Sequence, residues 1–282
     1  MRRQFALLLS ALACVAPGVW ADRPLTIAEA ETVPHRQFKF EAGVGYVRND
    51  GLTHFDLPFG LAYGLLPRWE LGVGFGGQTE ERNEEFGVEK AVTDIGDLTL
   101  GTKLKVLTAD RFWADQAMAL TVKFPTASYG KGLGTGRTDF DLMWIVTKPL
   151  GEKWNLYLNV GHMWTGDRSE ETFADILHYG VALDYQVSKK WQLVAEVFAE
   201  TVLTANRDID AHARGGVRWQ MADSLVLDAA VGGGLRRPAP DVTATVGLTW
   251  MFGPGKLARS FSLATRTSAR ACSSASSPGN SS

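Results

Sequence analysis

The residues of this chain best placed to do chemistry are ionisable groups that recur at alternate positions of short segments. Lys39, Lys103, Lys105, Lys123, Arg214 and Arg218 stand with Glu41, Asp56, Glu70, Asp97, Asp139, Asp141, Asp184, Glu196, Glu200 and Asp228 on the polar faces of these stretches. Positions i and i+2 of an extended chain point the same way, so these groups share one side of the sheet they build. Two roles need the same residue types: an ion-pair network that fixes or plugs that surface, or a charged lining that selects among passing solutes. Asp139 and Asp141 sit two apart on one strand. Together they would hold a cation or repel anions at a pore mouth; separately, each would meet a Lys or Arg across the strand.

Motifs for catalysis and cofactors are sparse. Gly72-Val-Gly-Phe-Gly-Gly77 matches the dinucleotide fingerprint in letters, but it opens no helix, and inward glycines that leave room explain it better. His35, His54, His162, His178 and His212 lack paired-ligand spacing, so no metal site is expected. No G-x-S-x-G occurs, nor an H-x-S pair of the kind carried by outer-membrane lipid hydrolases. A triad assembled from distant strands would escape this test. The expectation is a protein with no catalytic residues and no cofactor.

The elements that must position these groups are strands. From Gln37 to Phe252, segments of about nine to thirteen residues alternate in polarity, the period-2 signal of a strand with unlike faces. In the last one Val242, Ala244, Val246, Leu248, Trp250 and Phe252 oppose Thr243, Thr245, Gly247 and Thr249. The pattern predicts strands at 37–48, 54–64, 69–77, 94–106, 113–125, 138–148, 154–165, 176–187, 191–201, 211–220, 225–234 and 241–252. Their connectors alternate between tight turns and mostly longer polar loops, chief among them 78–93 and 126–137. That is the pattern of a single all-β, antiparallel transmembrane barrel of about 12 strands, with short periplasmic turns and longer extracellular loops. A closed barrel also leaves no backbone group unpaired in lipid. Trp69, Trp113, Trp154 and Trp191 open strands after short turns, and Trp219 and Trp250 close strands before one or at the domain's end. All six fall at one rim, where an interfacial aromatic girdle belongs. Soluble sandwiches and lipocalin-like barrels give Trp no reason to keep to one end.

Composition alone hides this. The chain of 282 residues is 45% hydrophobic and 21% charged, with a formal charge of -2 and a mean hydropathy of -0.07. Those averages look soluble because a barrel strand is apolar only at every second position. The pI of about 6.2 gives no case for nucleic acid. Arg2 and Arg3, the apolar run Phe5 to Val19 and the small-x-small site Val19-Trp20-Ala21 predict a signal peptide over 1–21. Residues 22–36 are then expected as a periplasmic N-terminal segment, 37–252 as the barrel, and 253–282 as a disordered Ser/Ala/Arg-rich tail. Cys14 and Cys272 lie outside the barrel segment, so it has no disulfide. Residues 22–252 carry 23 basic and 31 acidic residues, a formal charge of -8. With ten acids against six bases on the inward faces, such a lumen would mildly favour cations or neutral solutes.

Arg23-Pro24-Leu25-Thr26, Phe38-Lys-Phe-Glu41, Asp94-Ile-Gly-Asp97 with Lys103, Lys123-Phe-Pro-Thr126, Gly132-Leu-Gly-Thr-Gly136 and Thr138-Asp-Phe-Asp141 form a series of short motifs along the chain. Through them the chain resembles the outer-membrane proteins of the MetA-pathway of phenol degradation family. Ala127 stands where the family usually has Gly. Thr245-Val-Gly-Leu-Thr-Trp-Met-Phe252 is similar to the terminal signal read by barrel-assembly machinery, with Gly247, Trp250 and Phe252 as its marks. The resemblance implies a transporter-like barrel in the outer membrane of a Gram-negative bacterium, passing small hydrophobic or aromatic compounds. Expected partners are outer-membrane lipid, the assembly machinery and a small-molecule solute. The leading reading is a narrow passive channel. A non-transporting structural or surface-interaction barrel and an outer-membrane lipid-modifying enzyme stand as alternatives.

Overall fold

A computed structural model describes residues 22–49, 52–82, 91–131, 133–166, 174–204, 209–236 and 239–254. The expected signal peptide, 1–21, and the tail beyond 254 lie outside the described residues. Thirteen strands account for most of what is described: β1 (Phe38–Asn49), β2 (Leu52–Leu66), β3 (Trp69–Arg82), β4 (Val92–Ile95), β5 (Leu98–Leu107), β6 (Asp115–Phe124), β7 (Asp139–Leu150), β8 (Trp154–Trp164), β9 (Ile176–Gln186), β10 (Trp191–Val202), β11 (Ile209–Ala222), β12 (Leu225–Arg236) and β13 (Val242–Phe252). Each pairs antiparallel with its chain neighbour, except that β3 pairs with both β4 and β5. The wall closes where Phe38 of β1 meets Phe252 of β13, the two rings stacked at 5.3 Å. The result is a twelve-stranded antiparallel barrel with one extra short strand.

That extra strand corrects the expected unbroken segment 94–106. Its ladder stops at Gly96 and Asp97, where Thr126 takes over: its hydroxyl donates to the Gly96 carbonyl at 2.9 Å and accepts from the Leu98 N–H at 2.8 Å. Asp97 turns to accept the Ala127 N–H at 2.9 Å. A single threonine thus satisfies two of the backbone groups at the break.

Burial is inverted relative to a soluble protein. Leu71, Phe75, Leu100, Val160, Leu193 and Val246 are exposed on the outside, whereas Glu70, Lys103, Asp139, Asp184, Glu196 and Asp228 are buried within. Of the six expected girdle residues, Trp69, Trp113, Trp154, Trp191 and Trp250 are exposed, and Trp219 is half-buried with its ring stacked on Trp191 at 5.7 Å. Trp113 lies in the turn before β6 rather than on a strand, with the Lys148 ammonium 5.2 Å from its ring.

Candidate functional site

Residues 22–36, expected as a periplasmic segment preceding the barrel, run inside it. The reason is the apolar run Leu25, Ile27, Ala28, Ala30 and Val33, every member of which is buried. Leu25 and Ile27 pack with Tyr157, Ala182, Val194 and Phe198 of β8, β9 and β10. Ala28 and Ala30 pack with Ala117, Ala119, Met143 and Ile145 of β6 and β7. Val33 packs with Ala62 and Met251. This strap makes a lap of the inner wall a few residues from the short-turn rim and enters β1 through His35, which bridges to Gly64.

A segment without strand partners buries donors and acceptors that must still be satisfied. The inward polar residues do this. Glu196 accepts from the Thr26 N–H with both oxygens, at 3.0 and 2.8 Å, and from the Ile27 N–H at 3.0 Å. Asn159 makes two bonds with Ala28, accepting its N–H at 2.7 Å and donating to its carbonyl at 2.9 Å. Thr147 accepts the Ala30 N–H at 2.8 Å, and Glu70 accepts the Val33 N–H. Arg218 donates to the Arg23 carbonyl at 2.6 Å and the Asp22 carbonyl at 2.8 Å, Arg214 to the Pro24 carbonyl at 3.1 Å, and Lys103 to the Glu29 carbonyl at 3.3 Å.

Charges close the same circuit. Arg23 pairs with Asp228 at 3.2 Å and donates to Thr245 at 2.9 Å. Lys39 bridges Asp22 at 3.2 Å and Glu41 at 3.4 Å. Lys103 pairs with Glu70 at 3.1 Å, and Lys105 with Glu31 at 2.6 Å and Asp115 at 3.4 Å. Glu29 belongs to no strand. Its N–H donates to Asp22 at 2.6 Å, and burial, with the Asp22 charge second, pushes its carboxyl up to about 8.

Glycines in the wall make sockets for the strap. A Cβ at Gly43 or Gly247 would stand 2.4 or 2.2 Å from the Arg23 guanidinium, and one at Gly180 would stand 2.5 Å from the Ile27 Cδ1. The strap fills the room that these three glycines leave.

The half nearer the long loops is lined differently. Lys123 lies between Asp97, at 3.5 Å, and Asp139, and donates to Thr135 at 2.7 Å. Gln78 donates to the Leu133 carbonyl and Arg137 to the Gly166 carbonyl at 2.8 Å, so the 125–138 connector is drawn onto the wall. Asp139 and Asp141 do not act as a pair: Asp139 goes to Lys123 and the Gly166 N–H, whereas Asp141 meets His178 at 2.6 Å. At the opposite end, beside the short turns, Asp184 is held by Asn155 at 3.0 Å and by the Tyr157 hydroxyl. Glu200 lies in register with His178 on one side and Asp210 on the other. Phe198 stands 6.4 Å from the His178 ring and 5.3 Å from that of His212. Among the described residues no group of three or more His, Cys, Asp or Glu is placed to hold a metal.

The structure therefore brings Lys39, Glu70, Lys103, Lys105, Glu196, Arg214, Arg218 and Asp228 together through a segment that strand patterning does not implicate. Asn159 and Thr147 were not among the sequence candidates. Their positions in the inward register were the available signal, obscured because uncharged side chains do not stand out on a polar face. Gly247 faces Arg23 from the lumen side, while Trp250 and Phe252 lie against each other at 4.6 Å near the end of β13.

Comparison with known proteins adds family and fold. Residues 21–252 match the model of a family described as "Putative MetA-pathway of phenol degradation". No curated protein matches the sequence. Among solved structures, the NanC porin superposes with a TM-score of 0.56 at 7% identity, covering 75% of this chain and 98% of its own. The KdgM porin gives 0.50 at 9% identity, covering 75% and 99%. The translocator domain of the autotransporter NalP from Neisseria meningitidis gives 0.51 at 12% identity, covering 79% and 89%. At such identities the likeness is one of fold.

Proposed function

The chain belongs to the MetA-pathway of phenol degradation family, and from that premise we propose that it is an outer-membrane channel for passive passage of small solutes. The observation that carries the reading is the inverted wall: apolar side chains outside, ionic and hydrogen-bonding groups inside, and a closed ladder between. Such a wall suits a bilayer and a polar lumen. The Trp rim supports the same placement, with the short turns on the periplasmic side and the long loops outside a Gram-negative cell. Hydrophobic or aromatic solutes are the class that the family description suggests.

Passage rather than catalysis is favoured because inward groups that could serve a reaction are engaged elsewhere: Glu70, Glu196 and Thr147 bind strap N–H groups, and Asp228 pairs with Arg23. Outer-membrane lipid and the assembly machinery are the proposed partners, the latter reading β13 with Gly247, Trp250 and Phe252. A second reading, a barrel that does not transport, is favoured by one observation: the strap is laced to the wall around much of the lumen. Planar-bilayer conductance and liposome swelling with small neutral aromatic solutes test the proposal. Folded protein, verified by a mobility shift on boiling, should conduct. Silence from folded protein, with the strap bonds intact and with them weakened, would leave the non-transporting barrel.

A further inference from the structure

We propose that the long-loop mouth of the barrel carries a binding site for a small primary ammonium ion, formed by Asp56, His54 and Thr243 around β1. Its role as an entry station rests on the channel reading above; the binding itself does not.

The site lies away from the strap. Both β2, from Leu52, and β13, from Val242, start at the long-loop rim, so His54, Asp56 and Thr243 stand within a few residues of it. Phe55, Leu57 and Val242 are exposed on the outside, and alternation turns the three polar residues inward. The ladder brings them together: Val47 of β1 pairs with Thr243 on one side and His54 on the other, and Gly45, two residues earlier, is opposite Asp56. Because Gly45 has no side chain, the Asp56 carboxylate occupies the place where one would stand, reaching over β1 toward β13. Glu80 of β3 is opposite His54 and adds a second carboxylate.

The three groups are short of partners. His54 is 6% exposed and Thr243 5%, yet the His54 Nδ1 and the Thr243 Oγ1 are buried with no hydrogen-bond partner among the described residues. Such atoms are few in folded proteins because each keeps its desolvation cost, which a ligand would relieve. Both can turn to meet one: threonine has alternative χ1 rotamers, and a ring flip exchanges the nitrogen and carbon edges of an imidazole. The arginines whose charges reach Asp56 are Arg23 and Arg214, and both are engaged at the strap, Arg23 by Asp228 at 3.2 Å and Arg214 by Glu196 at 3.7 Å. Glu70, Glu196 and Asp228 each have a base beside them; among the described residues Asp56 has none.

This arrangement selects the ligand. An anion would meet two carboxylates. A neutral hydroxyl would leave the Asp56 charge uncompensated. A metal ion lacks its ligand set, since no group of three or more His, Cys, Asp or Glu among the described residues is placed to hold one. A primary ammonium brings one positive charge and three N–H donors, which match one carboxylate, one imidazole nitrogen and one hydroxyl, with Val47 against its apolar part.

Benzylammonium, benzyl alcohol and benzoate share one body and differ in charge, and they test this on the full chain in detergent at about pH 7.5, where an imidazole of ordinary pKa is neutral. Titration calorimetry should show benzylammonium binding, with the other two about tenfold weaker or more. Asp56→Asn, which keeps the shape over Gly45, should weaken benzylammonium about tenfold and leave benzyl alcohol unchanged. Thr243→Val should weaken it about fivefold, and decides alone should Asp56→Asn fail to fold. Equal binding of the three probes, or unchanged affinity in both variants, would overturn the site. Loss of binding in Glu200→Gln with Asp56→Asn unaffected would overturn it too, by moving the cation to β10. Planar-bilayer current keeps the two readings apart. Current blocked by benzylammonium, with the block relieved in Asp56→Asn, supports an entry station; current without binding overturns the site alone; binding without current leaves the site standing while the channel reading falls.

Discussion

Replacing Glu196 by Gln separates a held strap from an incidental one. The Glu196 carboxylate accepts three bonds of 2.8 to 3.0 Å from two consecutive amides, and its Oε1 lies 3.7 Å from Arg214. Glutamine preserves the shape, but it offers one oxygen and turns an NH2 group toward a donor. Hydrogen bonds to a charged acceptor contribute about 1.5–3 kcal/mol each. Losing the equivalent of one, with the rest weakened, costs the strap about 3 kcal/mol, or roughly a hundredfold in its detachment equilibrium. The substitution also removes the carboxylate 3.7 Å from Arg214 and leaves that guanidinium its bond to the Pro24 carbonyl, a loss that adds to the cost. Hydrogen exchange of the 22–36 peptide in detergent micelles reads the detachment directly, because exchange follows local opening. The expected result is exchange about a hundredfold faster in the strap, with strand amides unchanged. Unaltered strap exchange would refute the reasoning, since it would mean that the Glu196 bonds do not hold the segment. Loss of protection across all strands would refute it too, by showing that the residue supports the barrel instead.

Two further outcomes follow from the same geometry. Gly180→Ala puts a Cβ 2.5 Å from Ile27 Cδ1 and 2.8 Å from the Val197 carbonyl; overpacking of this kind costs about 1–3 kcal/mol. The temperature at which electrophoretic mobility shifts should fall, and Ile27→Ala should restore it only in part, because the clash with the β10 backbone remains. Glu29 gives a pH dependence. Its carboxyl is raised to about 8 with the strap bound, and the groups facing it are Asp22 from the strap, Arg218, Lys103 and Lys39. Between its ordinary value of 4.5 and about 8, the bound strap holds a proton that the released strap gives up, so the Glu29 contribution to attachment weakens as pH rises through that window. Strap exchange should therefore be faster relative to the intrinsic rate at alkaline pH, and Glu29→Gln should flatten the difference; an unchanged profile in the variant would sink this assignment.

The architecture was legible because a barrel in lipid obeys local rules. Alternation in Val242 to Phe252, tight turns beside Trp69, Trp154 and Trp191, and the excess of charge at every second position each follow from what lipid and water do to a single strand. The gap at Gly96 and Asp97 was not legible from alternation, because it depends on Thr126 arriving from thirty residues away.

What the sequence by itself determined is therefore the wall: its strands, their inward and outward faces, the aromatic rim, and the charge that the lumen carries. Only the tertiary structure decided what that charge is for. Glu196, Asn159 and Lys103 stand on separate strands, and nothing in their spacing points to residues 22–33. Alternation tells which way a side chain faces, whereas its partner is set by what closure of the barrel brings within reach. Here that partner is the main chain of a segment whose own donors and acceptors had no ladder to join.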